Sequence, residues 1–139
     1  MLWLGHIGEQ PVAVMSRRKH GYETGEIDGM KTPLRLLKRL GCTVLVLTNA
    51  AGSLRPEMPP LSLMVLTDHI NVAQHSPLVG EGGWERFVNL VDAYDLALRA
   101  QASHIALQRG IILHEGVYAW AFGLQFETPA GPLLTPVRN

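Results

Sequence analysis

The chain has 139 residues, 47% of them hydrophobic, and its twelve basic and twelve acidic residues give a formal net charge of zero at pH 7. This length and hydrophobic content suit a single folded domain with a core, and they exclude intrinsic disorder. The balanced charge removes the long-range attraction that nucleic acid or an anionic membrane would need, so we expect neither as a partner.

The sequence also predicts a compartment. The single cysteine, Cys42, cannot form an internal disulfide, and it precedes an apolar run, so we expect a reduced cysteine in the core. No apolar run approaches the ~20 residues of a membrane span, and the N-terminus lacks the charged-then-apolar order of a signal peptide. We therefore expect a cytoplasmic protein.

The first third of the chain predicts a hairpin, a polar loop and a helix. Residues 2–7 and 11–16 are short apolar segments joined by a turn that contains Gly8, which is typical of a hairpin. A polar, glycine-containing loop should then lead into a helix over residues 29–40, with Asp28 as its N-cap, Pro33 in its first turn and Gly41 past its end. The expected apolar stripe of this helix consists of Met30, Leu34, Leu37 and Leu40.

The stretch over residues 43–71 reads as strand, loop and strand. The run from Val44 to Leu47 has no polar alternation, which predicts a central strand that is buried on both faces of a sheet. The small residues that follow, including Ala50 and Gly52, would let an anion such as phosphate approach backbone N–H groups at the strand's carboxyl end. The alternative is a plain tight connection between two core strands.

The second half of the chain continues the α/β pattern. Residues 72–85 are rich in glycine and predict a long mobile loop. Asp95 can cap a second helix over residues 96–109, closed by Gly110, and a strand is expected near residues 111–122. The expected buried side of this helix consists of Leu98, Ala102, Ile105 and Ala106. The element order predicts an α/β fold with a mixed, partly parallel central sheet flanked by helices.

Two positions invite chemical interpretation on spacing alone. Arg18 and His20 are two residues apart, so in an extended backbone both side chains point the same way and could hold an anion. The alternative is a solvated basic loop.

His69 has no second histidine or paired carboxylate at metal-ligand spacing, so we interpret it as structural and expect no metal site.

Five segments in order resemble one enzyme family. They are SRRKHGYE, TNAAGSLRPEMPP, SLMVLTDHIN, ERFVNLVDAYD and EGVYAWAFGLQFETPA, and the resemblance as a whole runs from about residue 4 to residue 130. The chain closely resembles the trimeric, 6-oxopurine-specific purine nucleoside phosphorylases. Members of that family are about twice as long, and their glycine-rich phosphate string, GSGLG, has no counterpart in this sequence.

The resemblance implies phosphate and ribose contacts. The family motif GR-x-H-x-YEG maps phosphate ligands to Arg18 and His20, with Ala50 adding its backbone, and it maps a ribose contact to Tyr22. The remaining ribose contacts implied by the family are Tyr118, and Phe87 toward the neighbouring subunit. Two departures affect the loop, because Arg17 and Thr24 replace family glycines that could need a positive φ.

The resemblance also implies a purine site. The family string GPSFETPAE corresponds to residues 123–130, where Phe126 would stack on the base and Glu127 would accept hydrogen bonds from N1–H and the 2-amino group of guanine or from N1–H of hypoxanthine. Adenine lacks those donors, so this carboxylate would reject it. Leu124 and Gln125 replace the family's proline and serine, and this change affects the local geometry.

The reaction implied by the resemblance is phosphorolysis of inosine or guanosine to the free purine base and ribose 1-phosphate. Inorganic phosphate is the co-substrate, no metal or organic cofactor is needed, and the expected assembly is a homotrimer. We expect residues 1–139 to form one truncated domain with a divergent tail over residues 127–139, and to have little or no activity alone.

Two other interpretations remain open. The chain could be a non-catalytic remnant that acts at most as a binding or oligomerisation module. It could also be a methylthioadenosine phosphorylase, although those enzymes carry serine where this chain has Glu127.

Overall fold

The computed structural model describes residues 1–124 and Thr128. Contacts divide the chain into two compact units, of which the first comprises Met1–Ala50 with His75–Glu81 and the second Ala51–Gln74 with Gly82–Asn139. The single domain expected from the sequence stays a prediction.

The first unit begins with the predicted hairpin. Strand β1 (Leu2–Ile7) pairs antiparallel with β2 (Gln10–Met15), so that Leu2 lies opposite Met15 and Ile7 opposite Gln10. Gly8 has a φ of 60°, a left-handed conformation that glycine adopts without steric cost. The antiparallel pairing confirms the predicted hairpin, with β2 one residue earlier in sequence than predicted.

Two helices follow in the first unit. A short helix α1 (Gly21–Thr24) lies within the predicted polar loop, and α2 (Lys31–Arg39) lies within the predicted residues 29–40. The predicted cap by Asp28 is wrong, because α2 begins after Met30 and only the backbone carbonyl of Asp28 takes part, accepting from the Lys31 N–H at 2.9 Å. The predicted apolar stripe is only partly buried. Leu37 is 7% exposed, whereas Leu34 and Leu40 are exposed.

The predicted central strand over residues 44–47 is absent. No strand is formed there, and Val44 and Val46 are 53% and 81% exposed. Within the described part of the chain no strand pairs with this run, so its backbone groups form no inter-strand hydrogen bonds. Cys42 is also exposed, so the expectation of a core cysteine is wrong as well.

The second unit contains a parallel pair of strands joined through a helix. Strand β3 (Leu63–Asn71) pairs with β4 (Leu113–Trp120), and α3 (Leu96–Gln108) lies between them in sequence and contacts both. The side chain of Asp95 accepts a hydrogen bond from the Leu98 N–H at 2.8 Å, which confirms the predicted cap. Gly110 follows α3 with a φ of 64°, as predicted for its end.

The burial predicted for α3 is only partly correct. Ala106 is buried at 7% exposure, whereas Leu98 and Ile105 are both 43% exposed. Parallel sheets are ordinarily covered by helices on both faces, and among the described residues only α3 packs on this pair of strands. Much of the apolar surface of the second unit therefore remains accessible.

The α/β fold class is confirmed, and the described strands form two two-stranded sheets, the antiparallel hairpin and the parallel pair on which α3 packs. The predicted long loop over residues 72–85 contains turns and the start of a 3-10 helix at Trp84–Arg86, while its mobility stays a prediction. Because β3 and β4 are parallel, their carboxyl ends lie side by side. Ligands bind at this end of the strands in α/β sheets.

Candidate functional site

Arg18 lies beside the segment that contains Ala50. The Nη2 atom of the half-buried Arg18 donates a hydrogen bond to the backbone carbonyl of Thr48, two residues before Ala50. A guanidinium has five N–H donors, so this bond leaves others for an anion. Two of the three predicted phosphate residues thus lie close to each other in the first unit.

The backbone at Ala50 is open to an incoming group. Asn49 and Ala50, the last residues of this segment in the first unit, are exposed and carry short side chains. Such side chains leave the backbone N–H groups sterically accessible. A phosphate here could receive backbone donors and the charged donors of Arg18 together, and charge-assisted bonds of this kind are about twice as strong as neutral ones.

His20 and Tyr22 are stacked on each other. Their ring centroids are 5.1 Å apart with an interplanar angle of 15°. The backbone N–H of His20 donates to the carboxylate of Glu23 at 3.3 Å, which orients the residue at the start of α1. The structure thus brings a predicted phosphate ligand and a predicted ribose contact together within the first unit.

The two family glycines replaced in this loop do not require a positive φ here. Neither Arg17 nor Thr24 has one, and the left-handed position that ends α1 falls on Gly25, with a φ of 77°. The substitutions are therefore compatible with this backbone.

Tyr118 lines a cavity at the carboxyl ends of β3 and β4. The cavity is open to solvent, has a volume of about 310 Å³ and is lined by His69, Asn71, Tyr94, Tyr118 and Trp120. In the strand register His69 lies opposite Tyr118 and Asn71 opposite Trp120. Because alternate residues of a strand share one face, these four side chains line the same side of the sheet.

Tyr94 reaches this cavity from the segment before α3. Its hydroxyl lies 3.1 Å from Nδ1 of His69, and the two rings meet edge to face with centroids 5.8 Å apart. Burial, followed by the nearby negative charge of Asp68, raises the pKa of Tyr94 above its ordinary value of 10.0. The phenol is therefore neutral and able to donate a hydrogen bond at neutral pH.

The pairing of His69 with Tyr94 was not predicted from the sequence. From the sequence, His69 is interpreted as structural and Tyr94 has no role beyond a family segment. The two-residue spacing of His69 and Asn71, matched by Tyr118 and Trp120, is a signal that both strand ends present polar or aromatic groups to one face. Tyr94 carries no such signal, because only the tertiary fold brings it to His69.

Phe87, the predicted contact to a neighbouring subunit, lies on the surface of the second unit. It is 66% exposed, its ring centroid is 5.5 Å from that of Trp84, and the guanidinium of Arg86 lies 5.0 Å from the ring centroid. Its role stays a prediction.

The predicted purine residues Phe126 and Glu127 lie outside the described residues. Just before them, Leu124 has a φ of 72°, which the family's proline could not adopt because its ring fixes φ near −65°. The backbone here therefore differs from what the family string implies.

Two further features are absent from the described residues. No three His, Cys, Asp or Glu side chains are grouped so that they could hold a metal ion. Across residues 1–124 no helix has the length and apolar character that a membrane crossing requires.

Comparison with known proteins gives consistent matches. Over 129 residues the chain is 37% identical to purine nucleoside phosphorylase 1 of Geobacillus stearothermophilus, covering 91% of this chain and 47% of the relative. It is 40% identical over 124 residues to purine nucleoside phosphorylase of Mycobacterium tuberculosis, covering 89% and 43%. The chain thus spans about half the length of the curated relatives it matches.

Solved structures agree with the sequence matches. A crystal structure of Schistosoma mansoni purine nucleoside phosphorylase in complex with adenosine superposes with a TM-score of 0.88 at 34% identity, covering 96% of this chain and 50% of that one. The same enzyme in complex with inosine gives the same TM-score and coverage. In addition, the sequence model of the phosphorylase superfamily matches residues 2–135. The chain therefore belongs to the phosphorylase superfamily.

Proposed function

We propose that this chain serves purine nucleoside phosphorolysis, in which phosphate attacks C1′ of inosine or guanosine, the free base departs and ribose 1-phosphate forms. The observation that supports the proposal is the bond from Arg18 to the Thr48 carbonyl, which holds the guanidinium at the segment that leads into Ala50. Further support comes from the relatives, which are named purine nucleoside phosphorylases, and from solved purine nucleoside phosphorylase structures in complex with inosine or ribose-1-phosphate.

The proposed phosphate site uses charge and backbone donors. Arg18 would neutralise part of the anion's charge, His20 would add a side-chain donor and Ala50 would add its N–H. The held phosphate would then lie beneath a sugar that gains positive charge as its bond to the purine breaks. Positioning the attacking anion and stabilising that charge are the two contributions the chain would make.

The remaining roles follow the family pattern. Tyr22 and Tyr118 would contact the ribose, Phe87 would reach the ribose site of a neighbouring subunit in a trimer, and Phe126 and Glu127 would hold a 6-oxopurine. Phosphate is the co-substrate and no cofactor is required. A cytoplasmic location fits the lone, exposed Cys42.

The test is release of hypoxanthine from inosine in the presence of phosphate. Because the chain spans about half of its relatives, the assay uses it alone and in a chimera that replaces the matched 132 residues of purine nucleoside phosphorylase 1 of Bacillus subtilis. We expect phosphate-dependent release by the chimera, and turnover by the chain alone far below the ~10 per second typical of enzymes.

Two variants of the chimera complete the test. Arg18→Ala should lower hypoxanthine release by at least about tenfold, since it removes a charge-assisted contact worth about 1.5–3 kcal/mol. Arg39→Ala, at the exposed end of α2, is the matched control and should leave release unchanged. A folded chimera that releases no hypoxanthine would overturn the proposal.

A further inference from the structure

The cavity between the ends of β3 and β4 is lined by neutral or weakly basic groups. Its walls are the rings of Tyr94, Tyr118 and Trp120, and its remaining lining comes from His69 and Asn71. None of the lining residues is a carboxylate, a lysine or an arginine. Aromatic faces with a few convergent polar atoms favour a neutral ring-shaped ligand over an ion.

Tyr94 is held in place at this cavity. Its neighbour Asp95 caps α3 through the bond to the Leu98 N–H at 2.8 Å. The Nε atom of Arg99, in the first turn of α3, donates to the backbone carbonyl of Tyr94 at 3.3 Å. The backbone of Tyr94 is thus attached to α3, and its hydroxyl is positioned by the 3.1 Å contact with Nδ1 of His69, as a specific contact requires.

The His69–Tyr94 hydrogen bond leaves one donor and one acceptor in either tautomer. If the Tyr94 hydroxyl donates to Nδ1, the imidazole keeps the proton on Nε2 as a donor, and the phenol oxygen can still accept. If Nδ1–H donates instead, the phenol keeps its proton as a donor, and Nε2 can accept. A single hydroxyl group complements both arrangements because one oxygen atom donates and accepts at once, whereas a 6-oxopurine needs both its N1–H and its carbonyl to do so.

We infer that the His69–Tyr94 pair binds a hydroxyl group of the ribosyl moiety of a nucleoside in this cavity, beside Tyr118. The inference rests on the proposed function, to which it adds two residues that recognise the sugar. It predicts discrimination between ribosyl and deoxyribosyl ligands at the position that the pair contacts.

The experiment is a titration of the isotopically labelled chain, followed by NMR at the Trp120 indole N–H. The ligands are inosine, hypoxanthine and the 2′-, 3′- and 5′-deoxy forms of inosine. Tyr94→Phe removes only the hydroxyl, and we expect it to raise the Kd of inosine about three- to tenfold while leaving that of hypoxanthine unchanged. His104→Asn, an exposed histidine on α3, is the matched control and should change neither.

The deoxy ligands identify the contact and need no substitution. One of the three should bind wild type about three- to tenfold more weakly than inosine, and its Kd should not change in Tyr94→Phe, as in a double-mutant cycle. If Tyr94→Phe does not fold, His69→Asn takes its place in the same series, and the same deoxy ligand should then bind wild type and His69→Asn with equal Kd.

Three results would overturn the inference. They are an equal effect of Tyr94→Phe on inosine and hypoxanthine, wild-type affinities that are the same for inosine and all three deoxy forms, and a Trp120 signal that inosine does not move. Failure of the proposed function is a separate result, because it appears as absent hypoxanthine release by the chimera.

Discussion

A single hydrogen bond, from Arg18 to the carbonyl of Thr48, links segments that are 30 residues apart in sequence. The spacing of Arg18 and His20 predicts that both could face one anion, but no local pattern predicts that Arg18 reaches the segment before Ala50. The same limit applies to Tyr94 and His69, which are 25 residues apart. Sequence identifies the residue types of this site, and the fold decides which of them meet.

At the residue scale we predict that Glu127 sets the choice of base. A carboxylate only accepts hydrogen bonds, so it suits the N1–H of hypoxanthine and offers adenine no partner. Glu127→Gln should weaken hypoxanthine binding about ten- to hundredfold, because a bond to a charged group contributes about 1.5–3 kcal/mol. Calorimetric titration measures this, with Glu9→Gln in the hairpin turn as the control. Unchanged hypoxanthine affinity would refute the assignment.

At the scale of elements, the sequence predicts a helix or hairpin correctly when the residues that determine it lie within that element. The hairpin is fixed by Gly8 and helix α3 by Asp95 and Gly110, and each was predicted because its determinants lie within it. The run over residues 44–47 was predicted wrongly. An apolar run becomes a strand only when a neighbouring strand accepts its hydrogen bonds, and hydrophobicity alone cannot supply that neighbour.

The cap of α3 provides a stability prediction. Asp95→Ala removes the acceptor of the Leu98 N–H and should lower the free energy of unfolding by about 1 kcal/mol. Urea denaturation measures the change. Asp95→Asn is the matched control, because asparagine caps helices about as well as aspartate. Equal stability of the alanine and asparagine variants would contradict the capping role.

The segment His75–Glu81 is attached to α2 by charge. Oxygens of Glu81 lie 2.9 Å from Nζ of Lys31 and 3.1 Å from Nη2 of Arg35. The hydrogen bond from Lys31, together with the positive charges of Lys31 and Arg35, lowers the pKa of Glu81 below its ordinary value of 4.5. The stabilisation is therefore complete above about pH 4.5 and is lost as the pH falls through the lowered pKa.

This attachment predicts a pH-dependent mutant effect. Glu81→Gln should destabilise the chain at pH 7, and the difference from wild type should vanish at a pH below the lowered pKa of Glu81. Thermal unfolding at both pH values measures it, with Glu85→Gln, an exposed glutamate nearby in sequence, as the control. A destabilisation that stays constant with pH would show that the ion pairs do not cause it.

At the scale of the whole molecule, exposed apolar surface is the main feature. Leu37, Met58 and Ala106 are the buried hydrophobic side chains of the described residues, whereas the run over residues 44–47 is open to solvent. An extended apolar segment without ladder partners is prone to pair with other chains. The chain should therefore self-associate in isolation.

We predict that Val46 contributes to this association, since its side chain is 81% exposed. Val46→Lys should shift the sedimentation distribution toward the monomer, because a charge opposes strand pairing and apolar contact. Val79→Lys is the control, because Val79 has similar exposure but lies outside this run. An identical distribution for wild type and Val46→Lys would place the association surface elsewhere.

The most direct test of the central claim is a phosphate titration of the labelled chain, followed at the backbone amide of Ala50. We predict a saturable shift with a Kd near millimolar, equivalent to about 4 kcal/mol, because Arg18 and the open backbone supply only part of an enclosed site. The shift should disappear in Arg18→Ala and persist in Arg39→Ala. A shift of Ala50 that persists undiminished in Arg18→Ala, or no shift in wild type, would contradict the account.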